Sequence, residues 1–516
     1  MYDLVFIGGG LSGTLSLVYL LKQLGNSPRR TNGAGAELRL ALEDRDGDFG
    51  AGLPYGRLAD PRFLLNETVR TMDICGFHDW LVRRRSCWLG MLQQDLGEAV
   101  KSWLEANQQP LQAAAQDPRQ YDNLFLPRCV FGRFMRELLH ASIAQAQQDG
   151  AASVDLLADE VITLTRVPDG SLRAGLRSGG VLSGRRVLLG LGSLPLRPAH
   201  DLEGPGCIHD FYRQGPGALR AFCERTKSSK GGPRRAVIIG SNSAAMEALH
   251  SIHFDRQLCG ALHPVLVISP SGRLPDAEPS HNRPAFEAQQ TQQLARGGRA
   301  WSADNLIAAL RHDAGEAQRA AYTSLDFSAA AIPAFQVVFA RLAPDDQRKF
   351  VERYGACFTA LNRHTPPEYA NAGKSLMKSG KLRVMRGRVT AVEQHGDDLL
   401  VTMETGSEEH ERVQAAAVIN CSGSEPLHQT SVPLLRNILG QDGLARINAA
   451  GTGIHVTPDF EASPGVFVMG PLLAGHSSEA RHIWNLESAP RIHEYAQHVA
   501  GVLAAGANSG ERDGPA

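Results

Sequence analysis

Residues 2–14 read Tyr2-Asp3-Leu4-Val5-Phe6-Ile7-Gly8-Gly9-Gly10-Leu11-Ser12-Gly13-Thr14. The apolar run before the glycines is typical of a strand that is buried on both faces. Gly8, Gly10 and Gly13 then follow in Gly-x-Gly-x-x-Gly spacing, which allows a sharp turn, close approach to a pyrophosphate and tight helix packing. Apolar residues at helical spacing continue to Leu24 and predict a helix whose N-terminus directs N–H groups toward phosphates. The stretch predicts a Rossmann-like α/β unit with a dinucleotide site, the alternative being a plain glycine-rich turn.

Length and composition limit the number of domains, the kinds of partner and the cysteine chemistry that are expected. Its 516 residues are too many for one core, so two or three domains are expected. The 53 Lys and Arg residues balance 54 Asp and Glu residues, and this balance favours neither nucleic acid nor a membrane surface. No apolar stretch approaches the ~20 residues of a membrane span, and no signal peptide is expected, so the protein is predicted to be cytoplasmic. The eight cysteines form no Cys-x-x-Cys pair, and disulfides, a metal site and a redox dithiol are not expected.

The second strand is expected at residues 38–43 and ends in an acid. Glu43 is the predicted ligand of an adenosine ribose, and Asp44 is the alternative. Such an acid usually comes ~20 residues after the glycines. Residues 25–36 are interpreted as a loop insertion that delays it.

The strand–turn–helix pattern recurs at residues 234–247. Only Gly240 is kept, with Asn242 and Ala245 at the other two glycine positions. Asn tolerates positive φ and Ala is small, so a second phosphate-binding turn is predicted. The next strand ends near Arg273 among serines and without an acid, which favours the 2′-phosphate of NADPH slightly over NADH. The alternative is a vestigial unit that only scaffolds.

Several further motifs together point to one family. They are Gly50-Ala51-Gly52-Leu53-Pro54-Tyr55, Leu64-Leu65-Asn66, Phe77 with Trp80 and Leu81, Leu126-Pro127-Arg128, Ile419-Asn420-Cys421-Ser422-Gly423 and Met469-Gly470-Pro471-Leu472. This set resembles the bacterial FAD/NAD(P)-binding family related to the flavin-dependent N-hydroxylating monooxygenases. The resemblance implies an α/β two-dinucleotide-binding flavoprotein with a helical insertion, which uses FAD and NAD(P)H.

The resemblance also implies roles for particular residues. Gly52 and Asn66 are expected to lie along FAD, and Arg128 to meet a cofactor phosphate or flavin carbonyl, unless it forms a surface salt bridge. Residues 187–195 resemble the Ala-Thr-Gly strand of such proteins, so Gly192 is expected to let the backbone pass close to FAD. Gly423 is placed with the cofactor-binding residues. Gly470 is expected to bring N–H groups toward the flavin pyrimidine edge.

Three residues are candidates for contact with the substrate or for proton transfer. Residues 298–372 are predicted to be a helical insertion that walls the substrate site and ends near Arg363 and His364. Either side chain could bind an anionic or imide-bearing substrate, or simply meet a helix dipole. His476 is expected to handle a proton over the flavin or to cap the following helix.

The predicted organisation has four parts. Residues 1–200 begin the FAD-binding domain, residues 201–375 form the NAD(P)H-binding domain with the insertion, residues 376–500 return to the first domain, and residues 501–516 are a disordered tail.

The function implied by the resemblance is hydroxylation of a small polar substrate with O₂ through a flavin C4a-(hydro)peroxide. Urate conversion to 5-hydroxyisourate is favoured, because Arg363 and His364 suit a flat anionic imide; that step rests on family analogy. The alternatives are an N-hydroxylase of an amino acid, an NAD(P)H-dependent flavin reductase or oxidase, and a flavin-binding redox sensor.

Overall fold

A computed structural model describes residues 1–26, 37–197, 206–226, 234–277, 283–297, 301–405, 410–440 and 443–508. It contains two α/β units, each built on a parallel sheet, and a helical insertion in the second unit. Most of the loop insertion predicted at residues 25–36 lies outside the described residues. Within them, no helix has both the length and the apolar character that crossing a bilayer would require.

The first unit opens the chain. Its elements are β1 (Tyr2–Ile7), α1 (Leu11–Asn26), β2 (Leu38–Glu43), α2 (Gly52–Tyr55), α3 (Phe77–Arg83), α4 (Arg85–Gly90), α5 (Lys101–Ala106), α6 (Gln108–Ala113), α7 (Arg128–Gln148), β3 (Ala152–Leu157), β4 (Val161–Arg166), β5 (Leu172–Leu176) and β6 (Val181–Leu189). Strand β1 lies at the centre of the sheet, where Val5 pairs in parallel with Ala41 on one side and Val187 on the other. Residues 4–7 are buried on both faces, as their unbroken apolar character predicts.

The second unit repeats this plan. Its elements are β7 (Cys207–Ile208), α8 (Phe211–Thr226), β8 (Arg234–Ile239), α9 (Ser243–Phe254), α10 (Arg256–Ala261) and β9 (Leu262–Ser269), then the insertion with α11 (Gln289–Arg296), α12 (Ala303–Arg319), α13 (Ser324–Arg341), α14 (Pro344–Lys349), α15 (Gly355–Leu361) and α16 (Pro367–Lys378), and finally β10 (Leu382–Arg386), β11 (Arg388–His395), β12 (Asp398–Glu404), β13 (His410–Ala415) and β14 (Ala417–Asn420). The parallel sheet has the order β10-β9-β8-β14-β7. Strands β11, β12 and β13 form a separate antiparallel sheet.

This topology corrects the expected return to the first domain at residue 376. Strands β10 and β14 belong to the second sheet, where Val418 pairs with Val237 and Val384 pairs with Val267. Buried parallel strands all read as short apolar runs, so their pattern does not tell which sheet they join. The chain rejoins the first sheet only later.

The return segment contains α17 (Pro433–Ile438), β15 (Glu461–Ser463), β16 (Val466–Val468), β17 (His476–Ser477), β18 (His482–Ile483) and α18 (Ala489–Asn508). Strand β16 pairs in parallel with β6, which gives the first sheet the order β15-β16-β6-β1-β2-β3 with β5 and β4 beyond β6. The first eight residues of the predicted disordered tail are instead helical, and Leu503 is buried. Small residues such as Ala500 allow α18 to lie close to α1. Residues 509–516 lie outside the described residues.

The helical insertion has a core of its own. Leu306, Phe327, Phe335 and Phe358 lie in this core with other apolar residues of α11–α15. Trp484, from the return segment, lies against Gly355, so the insertion contacts the first unit as well as the second. Helix α16 packs on α9. The insertion therefore contacts both units.

A pair of glycines in α1 tests how tightly the first turn is packed. A methyl group on Gly13 would overlap the carbonyl oxygen of Gly8, whereas one on Gly25 would make only an ordinary contact, 3.8 Å from Asp149. Gly13→Ala is expected to lower the free energy of unfolding by about 1–3 kcal/mol through overpacking. Gly25→Ala, in the same helix, is expected to leave it unchanged or raise it by up to about 1 kcal/mol. Thermal unfolding of the two variants beside the parent measures this, and equal melting temperatures would contradict it.

Candidate functional site

The first glycine turn is held by close backbone packing. Gly8 has φ +102°, and a Cβ there would stand 2.8 Å from the carbonyl carbon of Gly190, at the end of β6. Gly8 N–H donates to the carbonyl oxygen of Glu43 (2.9 Å), and Gly190 N–H donates to that of Ile7 (2.8 Å). With Gly13 packed on Gly8, the three strand ends and the start of α1 meet without side chains between them. The helix N-terminus is thereby aimed at the carboxyl edge of the sheet.

Gly10 has a different environment. A Cβ there would meet only the Cα of Gly52, at 3.5 Å, so packing within the protein does not require glycine at this position. The loop after β2 covers the turn: Gly50 N–H donates to the carbonyl oxygen of Gly9 (2.8 Å). Gly470 lies over the first turn of α1, where a Cβ would stand 3.2 Å from that of Ser12. A bare helix start bordered by Gly10, Gly52 and Gly470 fits the diphosphate of a dinucleotide.

The two acids after β2 have separate environments. Asp44 accepts hydrogen bonds from the backbone of Gly9 (3.2 Å), Asp46 (3.0 Å) and Asp48 (3.1 Å), so both of its oxygens shape the turn. Glu43 is buried and accepts one from Val161 N–H (3.2 Å). Burial raises the pKa of Glu43 to about 8. The ribose contact remains a prediction for Glu43, whereas both carboxylate oxygens of Asp44 accept hydrogen bonds from backbone N–H groups of the turn and the loop.

The second turn repeats the backbone geometry of the first. Gly240 has φ +99°, and a Cβ there would stand 2.8 Å from the carbonyl carbon of Cys421, at the end of β14. Gly240 N–H donates to the carbonyl oxygen of Ile268 (2.8 Å), and Cys421 N–H donates to that of Ile239 (2.8 Å). Asn242 caps α9, with its side chain accepting from Ala245 N–H (3.4 Å). The turn retains the geometry of a nucleotide loop although two glycines are replaced.

Polar and cationic side chains line the ends of the neighbouring strands. The hydroxyl of Ser271 lies 3.3 Å from that of Ser241 and 3.1 Å from that of Ser269. Arg273 is exposed, and no described side chain pairs with its guanidinium. Arg386, on β10, is in register with Ser269, and its Cβ would be 2.7 Å from a Cβ on Gly272. Sequence reasoning missed Arg386 because it is 113 positions from Arg273 and becomes its neighbour only through parallel pairing.

Gly192 and Gly423 occupy matching places in the two units. Both have positive φ, +72° and +102°, and a Cβ on either would meet no atom within 4 Å. Gly192 follows β6 in the first unit, and its contact with FAD stays a prediction. Gly423 follows β14, so it belongs beside the Gly240 turn, and its placement with the FAD-binding part is corrected. The two segments pair, since Arg197 N–H donates to the carbonyl oxygen of Gly423 (3.0 Å).

Arg128 forms a buried ion pair and not the surface salt bridge given as the alternative. Its side chain is 5% exposed and forms an ion pair with Glu247 of α9, which is fully buried. Its Nε donates to the carbonyl oxygen of Leu64 (2.8 Å) and its Nη2 to Oδ1 of Asn66 (3.4 Å). Burial works to lower the pKa of Arg128, but the charge of Glu247 raises it overall. Arg128 is therefore engaged by protein groups, and it joins the two units.

Glu67 lies near the end of the insertion. Burial raises the pKa of the Glu67 carboxyl, and the nearby His364 works against that rise. His364 forms an isolated bridge with Asp276, and both Arg363 and His364 are exposed. The carbonyl oxygen of Arg363 accepts from Ser324 (2.8 Å). The structure thus brings His364 to a carboxylate that sequence reasoning did not identify.

His476 is buried on the short strand β17, against Phe460. Burial and nearby positive groups lower its pKa to about 4, so the ring is neutral at pH 7. Its Nε2 has no hydrogen-bond partner among the described residues. It does not cap a helix, because α18 begins only at Ala489; a strand and an irregular segment stand where a helix was expected. Its role with a proton remains a prediction.

Comparisons with known proteins agree with this geometry. Residues 5–194 match the family model described as FAD-NAD(P)-binding. An uncharacterised protein of Mycobacterium tuberculosis strain H37Rv is 30% identical over 523 residues, which cover 98% of this chain and 95% of that protein.

Solved structures share the fold over nearly the whole chain. The ornithine N-hydroxylase of Kutzneria sp. 744 is 15% identical with a TM-score of 0.54, over 98% of this chain and 99% of that one. The FAD-bound cadaverine monooxygenase of Erwinia amylovora is 12% identical with a TM-score of 0.55, over 98% and 94%. The L-lysine 6-monooxygenase of Pseudomonas syringae is 16% identical with a TM-score of 0.51, over 98% and 99%. The chain therefore belongs to the FAD-NAD(P)-binding family and has the two-dinucleotide fold of flavin-dependent N-hydroxylating monooxygenases.

Proposed function

We propose that the protein is an FAD- and NAD(P)H-dependent monooxygenase that hydroxylates the amino nitrogen of a small amine or amino acid. The observation that carries the proposal is the repeated backbone geometry at Gly8 and Gly240, in a fold shared over its length with hydroxylases of ornithine, lysine and cadaverine. One turn would hold FAD and the other the nicotinamide nucleotide. When bound, these cofactors supply the electrons and the activation of O₂.

The protein residues supply binding and orientation. The start of α1 and the backbone at Gly10 would hold the FAD diphosphate, and Glu43 would hold its ribose. Gly192 and Gly470 leave backbone uncovered beside that cofactor, and the Asn242-capped start of α9 would hold the second diphosphate. The insertion would exclude water from the substrate.

Glu67 distinguishes an amine from urate. The Glu67 side chain lies near His364, so the Arg363–His364 end of the insertion carries an acidic group as well as its two basic residues. A partly buried carboxylate attracts a cationic ammonium group and repels a urate anion. Urate hydroxylation, which the sequence favoured, is also without support from the structural neighbours, whose substrates are amines. Glu67 would hold a charged amino group of the substrate other than the nitrogen that is hydroxylated.

A substrate panel tests the reaction. We expect ornithine, lysine or cadaverine to stimulate NADPH oxidation, with hydroxylamine product formed and little H₂O₂ released, and urate to have no effect. NADPH oxidation that yields one H₂O₂ per NADPH whatever amine is present would show a flavin oxidase or reductase instead. Failure of NADH and NADPH to bleach the flavin would contradict both enzymes and leave the redox sensor.

Glu67 can be tested on the amine that the panel selects. Glu67→Gln keeps the size of the side chain but removes its charge. We expect KM for the amine to rise about tenfold or more, which corresponds to loss of ~1.4 kcal/mol of binding. Glu105→Gln, a change to an exposed acid of α5, is the matched control and should leave KM unchanged. Equal KM values for the parent and Glu67→Gln would place the amine site elsewhere.

The second nucleotide site is tested through cofactor preference. Arg273 and Arg386 would bind the 2′-phosphate that distinguishes NADPH from NADH. The Arg273→Ala/Arg386→Ala variant is expected to raise KM for NADPH about tenfold or more, at ~1.4 kcal/mol per decade, and to leave KM for NADH unchanged. Arg383→Ala, at another exposed position of β10, is the control. A parallel change for both nucleotides would show that neither arginine reads the phosphate.

A further inference from the structure

Arg128 and Glu247 form a buried ion pair that joins the two units beside the Gly240 turn. Arg128 is the first residue of α7, in the first unit. Glu247 lies in the second turn of α9, the helix that starts at the Gly240 nucleotide turn. Both side chains are almost completely removed from solvent, at 5% and 0% exposure. The pair thus connects the start of a nucleotide-binding helix to the other unit.

Arg128 holds the loop that follows the first glycine turn. Its backbone N–H donates to the carbonyl oxygen of Phe63 (2.8 Å), and its side chain holds Leu64 and Asn66 as described above. The loop starts at Gly50, which is bonded to Gly9, and ends at Glu67, which faces the insertion. Any shift of the Arg128 guanidinium must therefore move residues between the FAD turn and the proposed amine site.

Helix α9 contacts this loop through further groups. Asp255, the residue after its last turn, lies 3.5 Å from the guanidinium of Arg62. Tyr369, on the helix that packs against α9, accepts a hydrogen bond from Leu64 N–H (2.6 Å). The side chains of Phe63 and Tyr212 flank the Arg128 guanidinium, at 5.9 and 5.7 Å from their ring centres. The loop and α9 are thus connected at several points as one packed body.

A purely structural role would not require charges here. Removing two charges from water is costly, and apolar residues of similar volume often stabilise a buried site as well or better. A buried ion pair instead favours one relative arrangement, because each charge is unfavourable without its partner. The pair therefore specifies how the loop is placed relative to α9.

We propose that Arg128 and Glu247 are a positioning pair, through which a nicotinamide nucleotide bound at the Gly240 turn fixes the arrangement of residues 63–67. The inference rests on the proposed function, because it requires FAD in the first unit and a nucleotide in the second. Binding at the start of α9 orders that helix, and Glu247 transmits the order to Arg128. Neither residue touches the reacting atoms in this arrangement.

The test uses the FAD-loaded full chain with NADP⁺ as the probe. Hydrogen–deuterium exchange measures the amides of residues 63–67 with and without NADP⁺, and calorimetry measures NADP⁺ binding. In the parent, NADP⁺ is expected to slow exchange in this segment about fivefold or more, at the lower end of common coupling between sites. In Glu247→Gln the slowing should be lost, while NADP⁺ still binds and FAD is retained. Glu137→Gln removes an acid that is bonded to Trp80, Arg84 and Arg133 within the first unit, and it should behave like the parent.

A double variant separates positioning from stability. Arg128→Met/Glu247→Leu replaces the pair by apolar side chains and is expected to restore the melting temperature lost in Glu247→Gln, but not the slowed exchange. Normal slowing of exchange in Glu247→Gln or in the double variant overturns the inference and leaves the proposed function intact. A parent that binds NADP⁺ without slowed exchange at residues 63–67 does the same. A parent that retains FAD but binds no NADP⁺ overturns the proposed function as well.

Discussion

The structure depends on the close contact between the ends of two neighbouring parallel strands at the start of a helix. At Gly8 and again at Gly240, the backbone turns against the carbonyl group of a neighbouring strand end, so closely that no side chain fits between them. This contact brings the start of each helix to the carboxyl edge of its sheet, where the N–H groups of the first turn have no partner within the helix. The remaining elements act on these two turns by covering them, connecting them or walling the space between them.

The sequence predicted those features that depend on the backbone conformation of one short segment. The Gly8 turn, its weakened copy at Gly240 and the Gly192 position each follow from the backbone conformation or closeness that one short segment needs. Three of the changed expectations involve partners distant in the chain. Arg128 meets Glu247, 119 positions away, and strands β10 and β14 join the second sheet through crossovers that an apolar run does not encode. Small residues near the C-terminus resembled a disordered tail, yet they serve close packing of α18 on α1.

The residues of the candidate site also fall into two groups, those recognisable from local sequence and those that depend on distant partners. Residue types that bind phosphate or ribose are recognisable from their spacing after a strand. Glu67 and Arg386 are not, because each gains its neighbours, His364 and Ser269, only when loops and strands from different parts of the chain meet. The proposed substrate changed for this reason: an Arg–His dipeptide alone suggests an anionic ligand, whereas the same dipeptide beside an acidic side chain does not.

The paired segments at Leu196 and Ser424 have a consequence for how the chain is made. The second unit leaves and rejoins the first at one point, where these two residues form an antiparallel bridge. A ribosome must therefore synthesise the whole intervening unit before β16 can complete the sheet beside β6 and α18 can cover α1. Until then the nascent first unit has an open sheet edge and a bare apolar helix face, the features that chaperones recognise in unfinished proteins.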